Sequence, residues 1–143
     1  MDKHWNQTPQ SWEEKISHSL AKAAEILERD FSSTEVSVVL SNDEQVQILN
    51  KTFRHKDSPT NVLSFSSEMD GELGDIILAY ETVMREATEE EISFVNHTLH
   101  LIIHGFLHLL GYDHEDESDA YKMEQMEIQI LKSLNIKNPY EVL

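Results

Sequence analysis

The chain has 143 residues, about the size of one domain. Its 39% hydrophobic and 27% charged residues, with few glycines and prolines, support a packed core and exclude a disordered tail. Lys and Arg number 11 against 27 Asp and Glu, a formal charge of −16, which excludes histone-like, polybasic and membrane-adsorbing functions. The absence of cysteine removes disulfides, thiolate metal sites, iron–sulfur clusters and cysteine nucleophiles, and with no membrane-length apolar run and no signal-type stretch in residues 1–10, a single cytoplasmic domain over 1–143 is expected.

Trp12, Ile16, Leu20, Ala23 and Leu27 recur three or four residues apart, which predicts an amphipathic helix over Ser11 to Phe31. Val36, Val38 and Leu40 alternate with Ser37 and Val39 as a strand requires. Asn42 or Asp43 then caps a helix whose apolar face carries Val46, Leu49 and Phe53. Arg54 to Pro59 is polar and ends in proline, so it reads as a loop before a strand over Asn61 to Phe65. Asp70, Gly71 and Gly74 mark a turn into a second, antiparallel strand, Asp75 to Tyr80. A short helix over Glu81 to Thr88 precedes a longer one from Ile92 to Leu110, stopped at Gly111, a residue at ease in the left-handed conformation that ends helices. Ser118 to Leu134 is a last helix, burying Met123, Met126, Ile130 and Leu134. The expected fold is α+β: a small mixed sheet of the four-stranded type with helices packed against it.

Eight histidines are present, and five of them fall between His97 and His114. On a helix, His104 and His108 project from one face about 6 Å apart along the axis, so both imidazoles reach one ion. Such a pair alone is commonly plain surface or core. Gly111, however, turns the chain so that His114 supplies a third nitrogen, and a histidine at that place has no helical-packing rationale. Three neutral imidazoles with an open fourth position describe a catalytic zinc site on a zincin-like helix, with one Zn2+ as cofactor. The spacing matches the metzincin pattern H-E-x-x-H-x-x-G-x-x-H at every ligand, yet residue 105 is glycine where that pattern carries its general base. This argues against a peptidase, and Gly105 is expected to leave an unfilled wall beside the metal. His97 and His100 read as supporting or solvent-facing residues, His4 and His18 as surface, and His55 is left open. Asp113 and Glu115 read as turn or helix-end residues before proton acceptors.

Lys51, Arg54 and Lys56 gather three of the 11 cations into six residues, whereas the segment between Glu86 and Tyr121 has none. An anionic substrate at the histidine helix must therefore be held from another part of the fold. Arg54 is the best candidate, because its planar fork grips a phosphate with two hydrogen bonds and steadies charge developing on phosphorus.

The string H-G-F-L-H-L-L-G-Y-D-H, preceded by F-R-H-K-D-S-P-T-N-V-L-S-F and G-E-L-G-D-I, resembles the YbeY family of bacterial metal-dependent endoribonucleases, with the motifs in the family's order across roughly Leu49 to Tyr140. The resemblance implies zinc on His104, His108 and His114, with Arg54 facing it across a cleft as the functionally important arginine. Lys56, Asn61 and Ser64 are the substrate-binding residues expected with it, the last two on the T-N-V-L-S-F strand. It further implies a single-strand-specific endoribonuclease acting in small-subunit (16S) rRNA maturation and ribosome quality control. Its partners are single-stranded RNA, rRNA, the small ribosomal subunit and its assembly factors, with no DNA and no membrane. The N-terminus is short for the opening strand that relatives carry. A net charge of −16 repels a polyanion, so RNA contact is expected to be local, with few phosphates neutralised and a shallow salt dependence. The rival readings are a small zinc peptidase on the same scaffold and a ribosome-assembly factor whose metal is structural.

Overall fold

The computed structural model describes residues 2–7, 11–58, 60–113 and 116–140. A 3₁₀ turn at Lys3–Gln7 leads into α1 (Trp12–Leu27), β1 (Glu35–Ser41), α2 (Asp43–Arg54), β2 (Val62–Ser66), β3 (Glu72–Ala79), α3 (Tyr80–Glu89), α4 (Phe94–Leu109) and α5 (Glu117–Ser133). The order of helices and strands is the expected one. None of the described helices is long and apolar enough to cross a membrane.

Among the described residues the sheet has three strands, not the four-stranded type expected from sequence, in the order β1-β3-β2. β3 is central, parallel to β1 and antiparallel to β2. Among the described residues ahead of α1, Lys3–Gln7 form no strand but an aromatic plug. Trp5 is fully buried, its ring 5.3 to 5.5 Å from those of Phe94, Trp12 and Tyr80. Its indole N–H donates to the Ser41 carbonyl at 2.8 Å, and the Asp2 amide donates to the Leu40 carbonyl at 2.8 Å. Five residues carry no periodicity from which this could be read.

Strand alternation gives the sheet two apolar faces. Ile76 and Leu78 of β3, with Leu40 of β1, pack beneath α1, α4 and α5; Ile77 and Ala79, with Leu63 of β2, pack beneath Val46 of α2. α4 carries no Asp, Glu, Lys or Arg and has ten of its 16 residues buried, so it is the central helix of the molecule. Ser93 caps it, its hydroxyl accepting from the Asn96 amide at 3.2 Å. Gly111 ends it as expected, with φ 99° and the Tyr112 amide donating to the Leu107 carbonyl at 3.0 Å.

Three local expectations change. α1 stops at Leu27 because Glu28 adopts the left-handed conformation, and Phe31 turns instead onto Phe106, 5.4 Å between rings. Gly74 lies within β3 and not in a turn. The register between β1 and β3 slips there, and an added Cβ would lie 2.2 Å from the Phe65 carbonyl oxygen. Phe53 is 62% exposed, since the buried face of α2 ends at Asn50, whose amide holds the following loop by donating to the Ser58 carbonyl at 2.8 Å.

Asp2 ties the N-terminal plug to the start of α2. Its carboxylate accepts from the Asn42 side chain at 2.8 Å and from the His4 amide at 2.9 Å, with the His4 Nδ1 at 2.6 Å. The Asn42 bond first, then those from His4, lower its carboxyl to about 2. A folded-state value below the unfolded one contributes stability that is fully present above about pH 4 and is lost as pH falls through about 2. Tryptophan emission is therefore expected to shift to the red across that window. In Asp2→Asn the shift should be smaller, and equal shifts in both proteins would assign the acid transition elsewhere.

Candidate functional site

α4 presents its histidines as one polar seam on a buried helix. His97, His100, His104 and His108 follow at spacings of three or four residues, so their rings succeed one another along the axis, tilted or edge-on, with centroids 6.1, 6.4 and 4.6 Å apart. The last pair converges: the Nε2 atoms of His104 and His108 lie 3.1 Å apart with the rings at 83°. Two nitrogens each bound to one tetrahedral zinc lie about 3.3 Å apart, given Zn–N of about 2.0–2.1 Å, so this pair fits two ligands of such an ion. The third expected ligand, His114, lies outside the described residues, as does Glu115. Among the described residues no group of three or more metal-binding side chains occurs.

The carboxylate that engages His104 of this pair is one that sequence reading missed. Glu127 on α5 is fully buried. Its Oε1 is bonded to the His104 Nδ1, and its Oε2 to the His100 Nε2 at 3.2 Å and to the Tyr140 hydroxyl. Burial pushes its carboxyl up, but the hydrogen bonds to His100 and His104, with that to Tyr140, outweigh it and hold it at about 2. Burial, then the hydrogen bond and charge of Glu127, push the Tyr140 phenol well above the ordinary tyrosine range. His100 is thus a supporting residue, as expected. His97 instead belongs to the core, bonded to Glu86 at 2.9 Å.

Above the seam opens a cleft of about 930 Å³. His100, His104, His108, Tyr140 and Asp113 line it on one side, and Arg54, Lys56, Asn61 and Ser64 on the other. The tertiary fold therefore brings every described candidate into one space, although the histidines and the cations come from distant parts of the chain. Arg54, the last residue of α2, donates from Nη2 to the Ser64 carbonyl at 2.6 Å and lies 5.1 Å over the Phe65 ring. Lys56 is exposed, its amide bonded to the Asn50 carbonyl at 3.2 Å. The Asn61 side chain is engaged, donating to Glu86 at 3.0 Å. Ser64 shares the face of β2 that carries Val62, opposite Ile76 of β3.

Gly105 lines the cleft, but its missing side chain does not open it. A Cβ there would meet the Ile76 Cγ2 at 3.0 Å, and Ile76 is fully buried, so the glycine serves the close approach of α4 to the sheet.

The arrangement defines a class: an α+β protein whose H-x-x-x-H helix forms one wall of an open cleft and whose cations form the other. The chain belongs to the Endoribonuclease YbeY family, whose profile it matches over residues 1–135. It is 47% identical over 146 residues to the Endoribonuclease YbeY of Bradyrhizobium diazoefficiens, covering 95% of this chain and 79% of that one. It is 53% identical over 121 residues to that of Magnetococcus marinus, covering 74% and 82%. Among solved structures it resembles the solution structure of a Thermotoga maritima protein, with a TM-score of 0.59 and 26% identity over 93% of this chain and 96% of that one.

Proposed function

We propose that the chain, as one hydrolase domain over 1–143, is a zinc-dependent endoribonuclease. It cuts single-stranded RNA in the maturation of the small-subunit (16S) rRNA and in ribosome quality control. Its partners are the small subunit and its assembly factors, and its place is the cytoplasm. The observation that carries this reading is the meeting, in one cleft, of converging imidazoles with Arg54 and Lys56. The name carried by relatives 40 to 53% identical supports the nuclease class.

His104, His108 and His114 would hold the ion, which when bound supplies Lewis-acid polarisation of a phosphoryl oxygen. Arg54 binds the scissile phosphate through its fork and stabilises the charge that grows on its oxygens. Lys56 adds a mobile positive charge at the rim and draws in a neighbouring phosphate. The Ser64 hydroxyl offers a hydrogen bond from the strand opposite α4. Asn61 shapes the wall while its amide stays on Glu86. The open form of the cleft suits a flexible single strand, which bends into it without unpairing.

The test uses zinc-loaded protein with a short RNA presented as a single strand, as a duplex, and as DNA of the same sequence. Cleavage of the single-stranded RNA alone is expected. His108→Ala should lose bound zinc by elemental assay and fall at least ~10³-fold in rate with its circular dichroism unchanged. Wild-type cleavage by zinc-free His108→Ala would sink the reading.

A further inference from the structure

Glu127 is the only fully buried carboxylate among the described residues. It sits on the stripe of α5 that otherwise buries Met123, Ile130 and Leu131, where a methionine or leucine would pack without desolvating a charge. Its two oxygens take three partners, on α4 and on the segment after α5. Two ring nitrogens and a phenol hydroxyl converge on its two oxygens, which leaves the carboxylate as the acceptor and the His104 Nδ1 as a donor; in the neutral imidazole the His104 Nε2 then keeps its lone pair. That Nε2 is the atom 3.1 Å from the His108 Nε2, and both histidines line the cleft. Glu127 itself does not line the cleft, so it touches no substrate.

We propose that Glu127 is the positioning residue of this site: buried between α4 and α5, it holds His104 in the Nδ1–H form with Nε2 turned to the cleft, while His100 and Tyr140 hold the carboxylate. The role rests on the zinc reading above for its purpose, but not for its geometry. His100 and Tyr140 are the other arms of one anchor. The His100 Nε2 bond, at 3.2 Å, settles the second oxygen. The Tyr140 ring, 6.0 Å from that of His100, brings the end of the described chain onto the histidine helix. An imidazole steadied this way keeps its donor atom aimed before any ion arrives, and partners of this kind raise metal affinity about 10–100-fold.

The experiment compares wild type, Glu127→Gln and Tyr140→Phe, each folded by circular dichroism, with two readouts that need no RNA. Ring nitrogen NMR of the metal-free proteins reports the His104 tautomer, and competition with a chelator reports zinc affinity. Wild type is expected in the Nδ1–H form. Glu127→Gln, whose amide can also donate, should move His104 toward the Nε2–H form and weaken zinc about 10–100-fold. Tyr140→Phe, which removes one arm and keeps the ring, should keep the tautomer and lose less than tenfold. If Glu127→Gln does not fold, Glu127→Asp replaces it, with the shortened reach expected to weaken zinc in the same range. An Nε2–H His104 in wild type overturns the proposal. So does a folded Glu127 variant with wild-type tautomer and zinc affinity within twofold. A wild type that shows the Nδ1–H tautomer but binds no zinc supports the positioning role and removes the zinc reading instead.

Discussion

Arg54→Ala is expected to lower kcat/KM on single-stranded RNA by about 10²–10³-fold while leaving the fold and the zinc content unchanged. The magnitude is that of removing one preorganised donor from a site where negative charge develops. Arg54 is exposed at the end of α2, and its loss leaves no cavity. What is lost is an aimed group: the Ser64 carbonyl takes one N–H at 2.6 Å and the Phe65 ring lies 5.1 Å beneath, so the guanidinium is held in register with β2. Of the five N–H donors on a guanidinium, a fork thus anchored presents its remaining face to an anion with little conformational entropy to lose. Arg54→Lys retains the charge but not the fork, and should recover less than tenfold of the loss. Steady-state kinetics at constant metal content are the check. A fall of less than threefold in Arg54→Ala would show that the phosphate is held elsewhere.

Gly74→Ala is expected to destabilise the protein by about 4 kcal/mol, a large effect for one added methyl group. At φ 148° an alanine is strained, and its Cβ would lie 2.2 Å from the Phe65 carbonyl oxygen and 2.9 Å from the Leu109 Cδ2. The first contact is with backbone, so relief requires β2 and β3 to part. The second is with the residue next to His108, so the same shift disturbs the histidine pair. Backbone strain of about 1–3 kcal/mol adds to the overpacking cost of about 1–3 kcal/mol. For a chain of this size that corresponds to a fall of about 12 °C in Tm. Thermal and urea unfolding of the metal-free protein measure it, and a loss below about 1 kcal/mol would mean that the strands adjust freely.

Much of this architecture was legible in the amino acids because its signals are local. The four-residue step from His104 to His108 and the stop at Gly111 require only helix geometry, and the alternation around Val38 requires only a strand. Arg54 was legible for a different reason: a cation-free stretch around the histidines forces the positive charge to come from elsewhere. What stayed hidden depends on tertiary approach. Gly105 reads as a gap until Ile76 is seen against it. Trp5 has too few neighbours to show a period. Glu127 did leave a signal, a carboxylate within the apolar stripe of Met123 and Ile130, but nothing local says which histidines it meets. Tyr140 reaches the site from a segment with no regular structure, a placement that only the packed chain determines.

The charge-free character of α4 bears on the electrostatics of its far end. Aligned peptide dipoles leave about half a negative elementary charge at a helix C-terminus, within the last turn. No acidic residue stands in the first turn of α4, and His108 lies in its last. The backbone itself thus attracts a cation at His108, by about 0.3–1 kcal/mol. In the proposed site the helix end thus adds its own pull on a divalent ion, beside that of the buried Glu127 carboxylate that engages His104 from behind.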